Sequence, residues 1–317
     1  MKRYVIKRLL QLIPILIGIT LLSFSLMYLA GGDAVTQIIE NQGVAVSQEV
    51  IDAKRHELGL DQNMFIRYGN WLKGFATGDL GTSYSYFMPV KDVLKGKVSV
   101  TFALSCLSWI IVTLISVPLG IAMARYNTGR MDRFNVVGNQ IFMAIPSFFL
   151  GIMFAYFFGL VLHWFVPGRF IPFDQSFIKA IGGLILPAFA ISIPKAAKVA
   201  KLLRSSILNE MGNDYVRTAY SRGNSRWQVI RGHVLRNALL PAITYIAMSL
   251  ADIVAGSIIV EQVFALPGLG KLLMASIGNR DYPVAQCIVV IIAFVVVFMN
   301  YLADVVTQYI DPRVRLD

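Results

Sequence analysis

Residues 98–124 read VSVTFALSCLSWIIVTLISVPLGIAMA, without one charged side chain. A helix rises about 1.5 Å per residue, so about 20 apolar residues cross the hydrocarbon core of a bilayer. This run exceeds that length. Residues 9–32, 134–168 and 282–303 are uncharged over comparable stretches. Two shorter runs end in charge: 180–194 meets Lys195, and 237–251 meets Asp252, beyond which the apolar pattern resumes to Val260. Backbone amides and carbonyls in lipid find no water and must pair within their own segment, so runs this long form helices. The expected fold is an all-α integral membrane protein with six transmembrane helices.

Composition agrees. Of 317 residues, 56% are hydrophobic and 15% charged, and the mean hydropathy is +0.63. A soluble domain has about 45–50% apolar and about 25% charged residues. The net charge of +11 raises nucleic acid as a partner. Its distribution points to membrane topology instead, because loops on the cytoplasmic side collect Lys and Arg. Lys2, Arg3, Lys7 and Arg8 open the chain without an acid. Arg125, Arg130 and Arg133 face Asp132 alone after the second run. Residues 195–236 carry nine basic groups against Glu210 and Asp214. Residues 33–97 carry seven basic and eight acidic groups. Six spans with both termini in the cytoplasm place the three basic segments inside and 33–97 outside. The first run exceeds a signal-peptide core and lacks a small-x-small cleavage site, so a retained first helix is expected.

The expected organisation is a tail and first helix over 1–32 and an extracytoplasmic segment over 33–97. A five-helix core follows over 98–310, and 311–317 form a cytoplasmic tail. In the external segment Ser47 is placed to cap a short helix ending near Leu58, with Gly59 as its stop. Trp71, Gly74, Gly78 and Gly81 read as turns with aromatic anchors near the membrane surface.

Residues 204–237 are the most informative polar stretch. Gly212 breaks an extension of the fourth span. Asn213 or Asp214 then caps a short helix running to about Arg222, and Gly223 is placed to stop it. Ser225 with Gln228 has capping-box spacing for a further helix toward Pro241. Two short arginine-bearing helices outside the lipid form either a docking projection or a solvated basic loop. The physical pattern alone leaves both open.

Here the residues resemble a known family. Asp214-Tyr215-Val216-Arg217-Thr218-Ala219, then Gly223, then His233 through Leu240 to Pro241, resemble the EAA loop of ABC importer permeases. The closest version is that of the dipeptide/oligopeptide/nickel subfamily, DYVRTARAKG followed by RHALRNALLP. The similarity spans nearly the whole chain. It includes Tyr4 to Pro14, Leu58-Gly59-Leu60-Asp61, Gly78-Asp79-Leu80-Gly81 and Ile145-Pro146-Ser147-Phe148. Val260-Glu261 with Phe264 and Pro267-Gly268-Leu269-Gly270, Arg280-Asp281-Tyr282-Pro283, and Asp311-Pro312-Arg313 complete it. Departures are Gly32-Asp33-Ala34 in place of Gly-Asp-Pro, and Ala219-Tyr220-Ser221-Arg222-Gly223 in place of the basic-rich version. Lys195 and Lys198 stand where relatives tend to be uncharged, and Asp252 where a small or apolar residue is usual.

The resemblance implies a type I ABC importer permease fold, with 204–237 as the coupling segment. Asn213, Asp214, Tyr215, Val216, Arg217, Thr218, Ala219, Tyr220, Arg222 and Gly223 would meet a cleft of an ATPase subunit. Its implied partners are a second related permease, two ATPase subunits, an extracytoplasmic substrate-binding protein and membrane lipid, with no nucleic acid. The implied cargo is di- or oligopeptides, with nickel or a metal chelate as the alternative, and the location is the bacterial inner membrane.

No catalytic constellation is visible in the sequence. The nearest phosphate-cradle pattern ends at Gly270-Lys271, but Ala265 stands at its first glycine and Leu272 at its hydroxyl position. It reads as a loop near the outer surface. Cys106, Cys287, His56, His163 and His233 have no metal-ligand spacing. ATP and magnesium are expected on partner subunits and no cofactor on this chain.

Charges within the spans are functional candidates because burying them in lipid is costly. Asp252 faces a translocation path and attracts a cationic group, or it fixes packing by pairing with a neighbour. Glu261 is a gate or a structural contact. Asp304 reads as structural pairing, and Lys195, Lys198 and Lys201 as side chains snorkelling to the cytoplasmic end of the fourth span. A self-contained secondary transporter is the rival of another class, but no inverted repeat supports it. A channel-like or purely structural membrane protein is a third reading.

Overall fold

The computed structural model describes residues 2–29, 48–57 and 61–310. The Ser47 cap, the Gly59 stop, the departure at 32–34 and the motif residues at 58–60 and 311–313 lie outside the described residues. Among the described residues every regular element is helical, and extended pairing is limited to an isolated bridge between Thr82 and Pro89.

The helices are α1 (Lys2–Leu29), α2 (Gln48–Glu57), α3 (Met64–Thr77), α4 (Val90–Leu94), α5 (Lys97–Arg125), α6 (Gly129–Ala144) and α7 (Ser147–Phe154). α7 continues as a π-helical turn, Ala155–Val161. Next come α8 (Phe177–Glu210), α9 (Asp214–Ser221) and α10 (Arg226–Val229). A second π-helical turn, Ile230–Val234, leads into α11 (Leu235–Val263), followed by α12 (Leu269–Gly278) and α13 (Tyr282–Ile310).

Five stretches are long and apolar enough to cross a bilayer: Leu9–Leu29, Val90–Arg125, Phe177–Glu210, Arg226–Val263 and Tyr282–Gln308. The sixth corrects the sequence expectation. The run 134–168 is no single helix: Gly129–Ala144 and Ser147–Val161 meet at 91°. Pro146 has no amide proton and disfavours helical geometry in the residue before it. Ile145 accordingly sits at ψ 125°, and α7 begins after Pro146 at its N-cap. Five other prolines, Pro14, Pro118, Pro187, Pro194 and Pro241, stay inside helices.

Two smaller expectations also change. Trp71 and Gly74 lie inside α3 rather than in turns, whereas Gly78 and Gly81 are turns with φ of 85° and 78°. Gly270 and Lys271 are helical, in the first turn of α12. Leu269, Leu272 and Leu273 recur at the i, i+3, i+4 spacing of one helix face, and that face is buried.

The chain forms two compact units. One comprises residues 1–100 and 267–295. Its core sets Val90, Val93 and Leu94 of α4 against Leu269, Leu272 and Leu273 of α12 and Val284, Ala285 and Ile288 of α13. α1 and α3 are joined by a 2.8 Å hydrogen bond between the Thr20 and Tyr68 hydroxyls, with Phe24, Tyr68 and Trp71 packed alongside. Asp281, fully buried, accepts hydrogen bonds from the Ser83 hydroxyl and from the amides of Tyr84 at 3.1 Å and Ser85 at 3.2 Å. That carboxylate fixes the turn at 83–88. Burial is the main cause that pushes the Tyr84 phenol above its ordinary pKa, and the Asp281 charge adds to it.

The other unit comprises residues 101–266 and 296–317. α8 and α11 form its most extensive pairing. Lipid tails are as apolar as Leu, so packing in a membrane depends on close approach of small residues. α8 buries Ala188, Ala196, Ala197 and Ala200, and α11 buries Ala238, Ala242, Ser249 and Ser257. Gly120 of α5 serves the same end, since a Cβ there would lie 2.9 Å from the Leu203 Cβ.

Candidate functional site

The segment between α8 and α11 forms as its sequence expects, with one change at the cap. α8 ends at Glu210, Met211–Asn213 turn the chain, and α9 runs Asp214–Ser221. Asn213 occupies the N-cap position, but its amide donates to Glu210 Oε2 at 2.9 Å and makes no cap bond. The Tyr215 hydroxyl donates to the same oxygen at 2.5 Å. Partial burial and that carboxylate both hold the Tyr215 phenol above its ordinary pKa. Glu210 thus ties the start of α9 to the end of α8.

α9 is two-sided. Val216 and Ala219 are buried at i, i+3, while Asp214, Tyr215, Arg217, Thr218, Tyr220 and Arg222 are exposed. Gly223 follows the helix with φ of 82°, the left-handed geometry that ends a helix and favours glycine. The Asn224 amide donates to the Ala219 carbonyl at 3.0 Å. Ser225 and Gln228 form the expected capping box: the Ser225 hydroxyl accepts from the Gln228 amide, and the Gln228 side chain accepts from the Ser225 amide at 2.7 Å.

Beyond it lie contacts that no sequence pattern marked. Arg226 donates to the Ala124 carbonyl at 3.3 Å and to Asn127 Oδ1 at 2.6 Å. The Arg125 guanidinium lies 5.1 Å from the Trp227 ring centroid. The 204–237 segment is therefore braced against the turn that follows α5. Arg204 pairs with Asp132 at 2.7 Å, and Lys201 donates to Gln140 at 3.2 Å, so α8 is also held to α6. The partners stand between 61 and 102 residues apart, which is why the sequence did not reveal them.

The two path candidates occupy different surroundings. Glu261 is fully buried and accepts a 2.6 Å hydrogen bond from Thr101. Asp252 is exposed on α11. Lys195 and Lys198, on α8, lie within electrostatic reach of it, and the Lys198 ammonium sits 5.1 Å from the Tyr245 ring centroid. Asp304 is half-buried on α13.

Comparison with known proteins agrees with this arrangement. Residues 116–316 match the family described as the binding-protein-dependent transport system inner membrane component. Residues 1–105 match the N-terminal component of the same systems. The oligopeptide transport system permease protein AppB of Bacillus subtilis is 35% identical, over 99% of this chain and 100% of its own length. The dipeptide transport system permease protein DppB of Escherichia coli is 31% identical, over 99% of each. DppB of Alkalihalophilus pseudofirmus is likewise 31% identical, over 99% of this chain. A solved chain of the MetNI methionine ABC transporter, in an inward-facing conformation, shares the fold with a TM-score of 0.53 at 18% identity. That match covers 69% of this chain and 96% of the solved one. With its apolar spans and the helical projection between α8 and α11, this chain belongs to the family of binding-protein-dependent transport system inner membrane components, the permeases of ABC importers.

Proposed function

We propose that this permease carries di- and oligopeptides across the bacterial inner membrane, enclosing the path together with a second, related permease. An extracytoplasmic binding protein delivers the cargo. Two ATPase subunits bind ATP and magnesium, and this chain holds neither. Both termini and the segment 213–223 lie in the cytoplasm, where the exposed face of α9 seats in an ATPase subunit. Closure of the ATPases on nucleotide then shifts the helices between two access states.

The observation that carries this reading is the construction of α9. A helix of eight residues is too short to be stable alone in water. Here it is anchored by Val216 and Ala219, tied to α8 through Glu210, and braced to α5 through Arg226. It can therefore pass a push on its exposed face to both spans. Peptides are favoured as cargo because relatives matching over almost the full length are named for dipeptide or oligopeptide transport.

The test is reconstitution in proteoliposomes with the second permease, the ATPases and the binding protein encoded beside it. ATP-dependent accumulation of a labelled tripeptide is expected, and the purified chain alone turns over no ATP. Failure of the complete assembly to accumulate any peptide, or ATP turnover by this chain alone, would overturn the reading.

A further inference from the structure

Among the described residues of its unit, one stripe of α11 stays largely uncovered. Tyr245, Met248, Asp252, Ala255 and Ile259 follow one another at spacings of three or four, so they lie along one stripe. Tyr245 is half-exposed and the other four are exposed. The opposite stripe, including Ala242, Ile246, Ser249 and Ile253, is buried. An aspartate on an uncovered stripe of a span does not point into lipid; such groups face protein or a water-filled cavity. Lys195 and Lys198 of α8 lie within electrostatic reach of Asp252 on this stripe, and the Lys198 ammonium sits 5.1 Å from the Tyr245 ring centroid. Among the described residues at this place, two ammonium groups meet one carboxylate. The cluster therefore keeps one positive charge beyond what Asp252 neutralises, and the Tyr245 hydroxyl adds a donor.

We infer that Lys195, Lys198, Tyr245 and Asp252 form a carboxylate-binding station on the translocation path, taking a carboxylate of the peptide cargo. Charge complementarity selects the occupant. An ammonium donates in three directions and makes its strongest hydrogen bonds to an anion. A carboxylate between Lys195 and Lys198 neutralises the excess charge, while Asp252 keeps the pair from trapping it irreversibly. Every peptide offers such a group at its C-terminus, so the station suits cargo of varied side chains. The inference rests on the peptide-importer reading and adds a site to it.

The electrostatics are read directly at Met248, which lies between Tyr245 and Asp252 on the stripe. In the full assembly, with Cys106→Ala and Cys287→Ala as background, Met248→Cys is labelled with an anionic sulfonatoethyl or a cationic trimethylammonioethyl methanethiosulfonate. Ala255→Cys serves in its place if that variant fails to assemble. The anionic reagent is expected to react about tenfold faster, since a cleft of one sign concentrates counter-ions by at least about that factor. Joint Lys195→Gln and Lys198→Gln substitution abolishes the preference. Millimolar trialanine slows labelling, and trialanine amide does not. Absence of labelling by both reagents means that lipid or a partner helix covers the stripe, and overturns the inference. So do equal rates for the two reagents, or a preference that survives loss of both lysines. Each of these outcomes leaves the importer reading intact if the same assembly still accumulates peptide; loss of accumulation by the unsubstituted assembly removes that reading instead.

Discussion

The Arg226 guanidinium donates to Asn127 Oδ1 at 2.6 Å, joining the helix after the projecting turn to the chain that leaves α5. The two residues are 99 apart in sequence. Together with the 3.3 Å bond to the Ala124 carbonyl, this contact makes the 204–237 segment part of the helical body instead of a tethered loop.

Arg226→Ala should therefore loosen transmission without preventing insertion. Peptide accumulated per ATP hydrolysed is expected to fall several-fold in proteoliposomes, with ATP turnover retained. Both bonds leave from one guanidinium nitrogen, Nη2, and Arg226→Lys keeps a charged nitrogen with three donors, so it should recover part of the coupling. Unchanged stoichiometry in Arg226→Ala would show that the brace carries no load.

Gly223 tests the geometry of the same turn from the other side. Its φ of 82° lies in the left-handed region, and a Cβ built there meets nothing within 4 Å. A substitution is penalised by backbone strain alone, about 1 kcal/mol for Ala and more for a β-branched residue. The expected order of coupling is Gly, then Asn, then Ala, then Val, because Asn tolerates this conformation best among residues with side chains. Uptake-to-hydrolysis ratios across the four proteins check it, and a Val variant as well coupled as the Asn variant would contradict the strain argument.

Much of this architecture was legible in the chain. The apolar runs gave the spans, and the Gly223 stop and the Ser225–Gln228 capping box stand where local chemistry puts them. Local patterns report local structure. Whether a proline breaks a span depends on the geometry its neighbours allow: Ile145 turns extended before Pro146, while Pro187 and Pro194 stay within α8. Periodicity also cannot say which exposed stripe meets which. In sequence Lys195 and Lys198 read as snorkelling side chains; the pairing of α8 with α11 brings them within electrostatic reach of Asp252.

Glu261 and Thr101 supply a prediction about a buried carboxylate. Thr101 donates its 2.6 Å hydrogen bond near the start of α5, and Glu261 lies near the end of α11, so the pair links two spans. Glu261→Ala removes a fully buried acceptor and leaves a cavity, which should cost about 3 kcal/mol. Glu261→Gln preserves shape and one acceptor oxygen and should cost less. Thermal unfolding in detergent should rank them wild type, Gln, Ala. An Ala variant as stable as wild type would show that this carboxylate does not hold the two spans together.

Gly120 argues the packing of α5 against α8. A methyl group there would lie 2.9 Å from the Leu203 Cβ and 3.0 Å from the Ala200 carbonyl oxygen. Real Cβ contacts are essentially never as short as 2.9 Å, and the backbone carbonyl at 3.0 Å cannot rotate away as a flexible side chain does. Gly120→Ala must therefore push the two helices apart, although Ala is the better helix former by about 1 kcal/mol. Overpacking of a close helix contact costs about 1–3 kcal/mol, so the steric term should win. Lower thermal stability of Gly120→Ala in detergent is the expected result. Leu203→Gly removes both the Cβ and the Cδ2 that crowd this position, so the double variant should lose less stability than the sum of the two single changes. Strict additivity would show that Gly120 and Leu203 do not constrain one another.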